Sequence, residues 1–259
     1  IDLRARANQK IKNTGLPSLA QKLSSEFASD GLTVIREGAT GKSSKTPSIR
    51  MDFFNPDGSA AFCGNGTRSA GFYETRLVCK KNKGAVVVLT IDGPRRVEVD
   101  GSRARLTQVP IPLIGHSVPI HVDGNGAPNK AYRVDAGCPH AVLFVKNSEK
   151  QEVEKIGRII RHLNVFQPAG TNVDFVQVLS PARLKVRTYE RGVERETGSC
   201  GSGVLASAAM AKSLGKITGK SCEVETLGGN LRVYFNKDKK NGLVLEGTVE
   251  VLFQGVCYA

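Results

Sequence analysis

Two short stretches carry the chemistry this sequence offers. Residues 63–66 read Cys63-Gly64-Asn65-Gly66 and residues 200–203 read Cys200-Gly201-Ser202-Gly203. Each follows a turn-rich polar segment and precedes small residues that suit a helix start, which predicts both cysteines at helix N-termini. There the unpaired backbone N–H groups and the positive end of the helix dipole favour an anion. Each thiol is therefore expected to reach the thiolate state near neutral pH, and the same N–H groups can hold a substrate carboxylate. A single copy could be an ordinary buried cysteine beside a flexible turn. A matched pair points to inversion of a carbon centre, in which one thiolate takes a proton from one face and the other thiol returns one to the opposite face. The pair predicts two halves facing each other across one cleft.

The elements that must position these residues are legible in outline. After a leading loop, an amphipathic helix carries Leu19, Leu23 and Phe27 at four-residue spacing. Strands are expected at 32–35 and 49–54, with an exposed Gly/Ser/Thr/Lys-rich loop over 37–48 between them. The turn Asn55-Pro56-Asp57-Gly58-Ser59 then delivers the chain to Cys63 and a helix over 64–78. Strands at 85–91, 95–99 and 103–108 follow. Pro110, Pro112 and Pro119 break the pattern and mark the expected boundary between a first half, 1–110 with 249–259, and a second half, 111–248. The second half reads as strands 131–136 and 141–145, a helix over 149–163, strands 175–179 and 184–189, and the helix after Cys200 ending at Gly215. Strands at 222–225, 231–235, 243–245 and 249–253 close the chain. Strand, turn, Cys-Gly-x-Gly, helix, then more strands occurs twice. Two similar α+β domains from an internal duplication are expected, each a mixed, mostly antiparallel β-sheet wrapped around a central helix.

At 259 residues with 40% hydrophobic content, the chain fits one large or two ordinary domains. It holds no apolar run of membrane-span length and no signal-peptide pattern, so a cytoplasmic protein without a membrane partner is expected. The first residues are Ile1-Asp2-Leu3 rather than methionine, which suggests that something precedes them. Cysteines 63, 79, 138, 200, 222 and 257 are scattered, with neither Cys-x-x-Cys nor zinc-site spacing, and no metal is expected. Of these, Cys79, Cys138, Cys222 and Cys257 read as small apolar fillers. The net charge of +13 raises a polyanionic partner. However, basic residues cluster in turns such as Lys80-Lys81-Asn82-Lys83 and Lys237-Asp238-Lys239-Lys240 without interleaved aromatics, so no nucleic-acid partner is expected.

With these residues assembled, the sequence resembles the diaminopimelate epimerase family, pyridoxal-phosphate-independent racemases of two pseudo-symmetric domains. The segments that carry the resemblance are 54–59, both Cys-Gly-x-Gly motifs, Pro139-His140, Gly170-Thr171-Asn172-Val173, Tyr189-Glu190-Arg191-Gly192, Glu196-Thr197 and Gly228-Gly229, in family order over nearly the whole chain. The resemblance implies conversion of LL-diaminopimelate to the meso form, a step toward lysine and peptidoglycan precursors, without a cofactor. It implies Cys63 and Cys200 as the acid and base, and Gly64, Asn65, Gly201 and Ser202 as backbone N–H donors to the α-carboxylate. Asn55, Asn172 and Arg191 would bind the distal end of the substrate, Arg191 by a bidentate contact. His140 and Glu190 would lie beside the thiols and set their protonation. The partner is then a small-molecule amino acid, with a homodimer left open. Family members usually begin with a strand carrying Gly-x-Gly-Asn-Asp-Phe, just before this chain's first residue, so the first half is expected to lack one sheet member. Many members have asparagine where this chain has Cys138.

Each residue has a plainer reading. His140 could be a buried, hydrogen-bonded histidine, Glu190 and Arg191 a surface ion pair, and Asn55 and Asn172 turn residues. Among functions, a racemase of proline or hydroxyproline would share the fold, although that type usually has histidine where this chain has Asn65. A thiol redox protein would be expected to carry Cys-x-x-Cys.

Overall fold

In the computed structural model the described residues are 1–5, 11–38, 46–108, 113–122, 129–235 and 242–255. The readings that concern Pro110, Pro112, 237–240, Cys257 and most of the 37–48 loop lie outside them. The chain divides into two compact units, Ile1–Thr107 with Thr248–Ala259 and Gln108–Gly247.

In the first unit, helix α1 (Leu16–Phe27) packs Leu16, Leu19 and Ala20 against strand β1 (Leu32–Glu37). β1 pairs antiparallel with β2 (Ser48–Phe54), and β2 pairs parallel with β3 (Lys83–Thr90). A parallel pair needs a crossover, which here is helix α2 (Gly64–Phe72). β4 (Gly93–Asp100) and β5 (Arg103–Gln108) continue the sheet antiparallel. The sheet closes around α2 with Ile49, Met51, Phe53, Val86, Val97 and Leu106 in the core.

The second unit repeats this order. Helix α3 (Val153–Arg161) precedes the antiparallel strands β9 (Asn172–Ser180) and β10 (Arg183–Glu190). Helix α4 (Gly201–Ser213) crosses over to the parallel strand β12 (Ser221–Thr226), and β13 (Gly229–Phe235) and β14 (Leu243–Thr248) follow antiparallel. Three strands extend the sheet beyond β9. They are β8 (Pro139–Phe144), parallel to β9, then β7 (Lys130–Asp135) and β6 (Leu113–Pro119), both antiparallel. α4 is enclosed on all sides, and its Ala206, Ser207, Ala208 and Ala211 are fully buried. The small residues let strands pack close around it.

The expected α+β class and the sheets around central helices are therefore seen, with local corrections. The helix over 64–78 is α only to Phe72 and continues as a π-helical segment, Tyr73–Val78. The proline-broken stretch holds strand β6, with Pro119 at its last position opposite Lys130, where a missing N–H costs least. The three-residue strand β11 (Arg195–Thr197), paired to β10, is too short to show a period. No strand forms over 249–253. Beyond β14 the Val249 N–H donates to Ser102 O at 2.8 Å, and Val251, Leu252 and Phe253 lie exposed. Phe27, expected on the buried face of α1, is half exposed, its ring 5.3 Å from that of Phe253.

Candidate functional site

Both motif cysteines cap a central helix. Cys63 is the N-cap of α2 with extended backbone (φ −134°, ψ 112°), and Cys200 is the N-cap of α4 (φ −100°, ψ 108°). Each sits in the crossover between two parallel strands, a position that directs a helix N-terminus out of the sheet.

The two sulfurs differ. Cys63 Sγ accepts the Gly66 N–H at 3.2 Å, as a serine or aspartate cap oxygen would, which favours the anion. Cys200 Sγ makes no such contact and meets Ser202 Oγ at 3.4 Å. Burial pushes the Cys200 thiol well above its ordinary value, the Glu190 and Asp174 carboxylates push it further, and the Ser202 hydroxyl only partly opposes them. This corrects the expectation that both thiols ionise near neutral pH. Cys200 holds its proton.

The second glycine of each motif is required by close packing. A Cβ on Gly203 would lie 2.4 Å from Asp174 Oδ1 and 3.1 Å from Thr188 Oγ1, while one on Gly66 would lie 3.1 Å from both Phe53 and Thr33. A Cβ on Gly64 meets only Leu106, at 3.6 Å. Gly203→Ala is expected to cost about 2 kcal/mol or more and Gly64→Ala under about 1 kcal/mol, read from urea denaturation midpoints. Equal midpoints would contradict the packing argument.

Behind Cys63, Arg68 is buried on α2. Its Nη2 donates to Asn65 Oδ1 at 2.8 Å, and its Nε and Nη1 have no partner among the described residues. Burial pulls this guanidinium down to about 10, and the nearby Cys63 works against that pull. Read the other way, the buried cation stabilises a thiolate at Cys63. Arg68→Met is expected to leave stability within about 1 kcal/mol, since the two partnerless buried nitrogens, Nε and Nη1, go with the charge and offset the interactions lost. It should slow alkylation of Cys63 by iodoacetamide at neutral pH about tenfold, and an unchanged rate would show that the cation does not act on the sulfur.

In the second unit the expected residues gather around His140. Its Nδ1 lies 2.7 Å from Asp174 Oδ2, both side chains fully buried, and Thr188 Oγ1 donates to Asp174 Oδ1 at 2.8 Å. Its Nε2 faces Ser202 Oγ at 3.1 Å and Cys138 Sγ at 3.3 Å. Burial alone would lower the imidazolium. The Asp174 charge and hydrogen bond outweigh it, together with Cys138, and raise His140 to about 10. Asn172 is buried at the start of β9. Its Oδ1 accepts the Arg191 N–H at 2.9 Å, and its Nδ2 donates to Pro139 O at 3.1 Å and to Cys138 Sγ at 3.4 Å. Glu190 Oε2 accepts from Thr197 Oγ1 at 2.9 Å, a bond that the short strand β11 makes. Arg191 Nη1 donates to Ala169 O at 3.0 Å.

His140, Asn172, Glu190, Arg191, Gly201 and Ser202 are thus brought together around Cys200, and Gly64 and Asn65 adjoin Cys63. Asn55 lies in the turn that leads to Cys63. Its Nδ2 donates to Ser59 Oγ at 3.0 Å within its own turn. Asp174, Thr188 and Arg68 were not anticipated. Cys138 is no apolar filler but a polar-contact residue.

A family model described as diaminopimelate epimerase matches residues 132–252. A diaminopimelate epimerase of Aquifex aeolicus is 38% identical over 231 residues, covering 87% of this chain and 79% of that protein. One of Hydrogenobaculum sp. is 34% identical over 259 residues, covering 96% and 89%. Among solved structures, a phenazine biosynthesis protein of the PhzF family from Bacillus anthracis superposes with a TM-score of 0.67 at 15% identity, covering 92% of this chain and 86% of that one, a likeness of fold alone.

Proposed function

The chain belongs to the diaminopimelate epimerase family, and from that premise we propose that it interconverts LL- and meso-diaminopimelate by a two-thiol mechanism without a cofactor. The observation that carries this reading is the pair of cysteine N-caps whose sulfurs favour opposite protonation states, because inversion needs one base and one acid at the same time. Cys63, with a helix N–H on its sulfur and the buried Arg68 cation nearby, is the base. Cys200, buried among carboxylates, is the acid.

The thiolate of Cys63 takes the α-hydrogen as a proton, and negative charge moves into the substrate carboxylate. Helix N–H groups of Gly64, Asn65, Gly201 and Ser202 stabilise that charge, which makes a weakly acidic proton removable. Cys200 then donates its proton to the opposite face and is left as the thiolate, ready for the reverse reaction. His140, raised by Asp174, lies 3.1 Å from Ser202 Oγ, which in turn meets the Cys200 sulfur at 3.4 Å and favours this second thiolate once it forms. Asn172 and Arg191 orient the distal amino acid group. The activity is that of a biosynthetic enzyme acting on a free amino acid, and the proposed location is the cytoplasm. No helix among the described residues is long and apolar enough to cross a membrane.

The test is deuterium incorporation at the α-carbon in heavy water. Diaminopimelate is expected to exchange and invert. Exchange of proline in place of diaminopimelate would assign the chain to the alternative racemase type, which Asn65 in the first motif argues against.

A further inference from the structure

Cys138 follows Gly137 in the turn between β7 and β8, where Gly137 takes a left-handed conformation (φ +89°) and its N–H donates to Asp135 Oδ1 at 2.9 Å. Cys138 as a residue is partly exposed in this turn, and three polar groups converge on its sulfur. They are His140 Nε2 at 3.3 Å, Asn172 Nδ2 at 3.4 Å and Ser202 Oγ at 3.5 Å. The orientation of the first two is determined by their other partners. The Asp174 carboxylate accepts at His140 Nδ1, so that nitrogen carries a hydrogen and Nε2 is the one that can take a proton from sulfur. The Arg191 N–H occupies Asn172 Oδ1, so the amide must present its NH₂ to Cys138. Aspartate, histidine and cysteine therefore stand in a line in which the thiol can pass its proton to the ring and remain as an anion with three donors.

We propose that Cys138 is a modification site, a thiolate held against the His140 imidazolium that reacts with hydroperoxides and other soft electrophiles. With hydrogen peroxide, the thiolate attacks one oxygen, an S–O bond forms and the O–O bond breaks. The departing hydroxide takes the proton from His140 and leaves as water. Sulfur is oxidised by two electrons to the sulfenic acid, and the peroxide is reduced. Burial alone would push the Cys138 thiol up, but the hydrogen bond and charge of His140, the Ser202 hydroxyl and the charge of Arg191 outweigh it, and the thiol ends below its ordinary value. The other described cysteines, apart from Cys63, differ. Cys200 and Cys222 are buried and raised, and Cys79 is exposed but faces Glu74 Oε1 at 3.9 Å. The site lies in the proposed catalytic surroundings but does not depend on the epimerase reading, because its readout is a mass and needs no substrate.

The chain is treated briefly with iodoacetamide at neutral pH, and each cysteine peptide is quantified by mass spectrometry. Cys138 is expected to label several-fold faster than the more exposed Cys79, because a thiol that can pass its proton to His140 Nε2 at 3.3 Å presents more of the reactive thiolate. His140→Asn should bring the Cys138 rate down to that of Cys79, and Ser202→Ala, a milder change that keeps the buried pair, should slow it several-fold. Hydrogen peroxide with dimedone should place the sulfenic-acid adduct on the peptide holding Cys138 in the unaltered protein. Labelling of Cys138 no faster than Cys79, or no dimedone adduct there, overturns the proposal, as does a Cys138 rate indifferent to Ser202→Ala.

Discussion

Cys200→Ala is expected to abolish net inversion of diaminopimelate, by about 10²–10⁴-fold in turnover, while one epimer continues to exchange its α-hydrogen with heavy water. The Cys63 thiolate can still remove the proton that faces it and return a deuteron to the same face. Cys63→Ala is expected to lose both exchange and inversion near neutral pH, because the sulfur that is left, Cys200, is held protonated by burial and by Glu190 and Asp174. Raising the pH toward ionisation of Cys200 should restore exchange of the other epimer in that variant. The measurement is deuterium content against optical composition for each variant. If both single variants retained exchange equally at neutral pH, the assignment of base and acid would be wrong.

The second large effect concerns the buried His140–Asp174 pair. Removing one partner of such a pair strands the other, and Asp174→Asn is expected to cost about 3–5 kcal/mol of stability by urea denaturation. The pH dependence follows from the two shifted groups together. His140 rises from 6.5 to about 10 on folding, so its contribution is complete below about 6.5 and is lost as pH climbs toward 10. Cys138 has the opposite sign. Its folded value lies below 9.0, so its contribution is complete above 9.0 and is lost as pH falls through the folded value.

Within that window the proton that leaves the sulfur is the one that the ring holds. Between the folded value of Cys138 and 9.0 the two contributions therefore oppose each other in their dependence on pH. Cys138→Ser removes half of this balance, and its stability should fall as pH rises above about 6.5, by at most roughly 1.4 kcal/mol per pH unit. The raised Cys200 thiol lowers stability above about 9 in both proteins, and Cys138 contributes to that rise, so the two profiles are compared below pH 9. Parallel pH profiles for the two proteins would show that no proton is shared between Cys138 and His140.

Much of the scaffold could be read from the chain. The two Cys-Gly-x-Gly stretches announce helix starts because glycine and small residues tolerate the crowding there, and alternation marks β4 and β5 because one face of each is solvated. What escaped has physical reasons. Strand β6 hides behind Pro119, which sits where no ladder hydrogen bond is needed, and β11 has too few residues to show a period. The apolar run at 251–253 looks like a strand but forms none.

At the site, His140 was legible as an open choice between a residue that sets the protonation of the thiols and a buried, hydrogen-bonded histidine. The structure makes it both buried and polar. Asp174 was missed because it lies inside the apolar run 173–176, where an acid announces nothing about which histidine it will meet. Cys138 resembled a filler because a thiol reads as apolar until its neighbours are known. Arg68, one turn into a helix, reads as a solvated cation until the sheet is folded around it.

The near-contact of the Gly203 backbone with Asp174 links two positions that are far apart in the chain. A methyl group at 203 can be accommodated only if the acid at 174 gives way to something smaller, such as serine, and that exchange would in turn release the ring of His140. Positions 203 and 174 are therefore coupled, and a double variant with alanine at 203 and serine at 174 should lose less stability than the sum of the two single substitutions, while losing the proton that His140 retains at neutral pH.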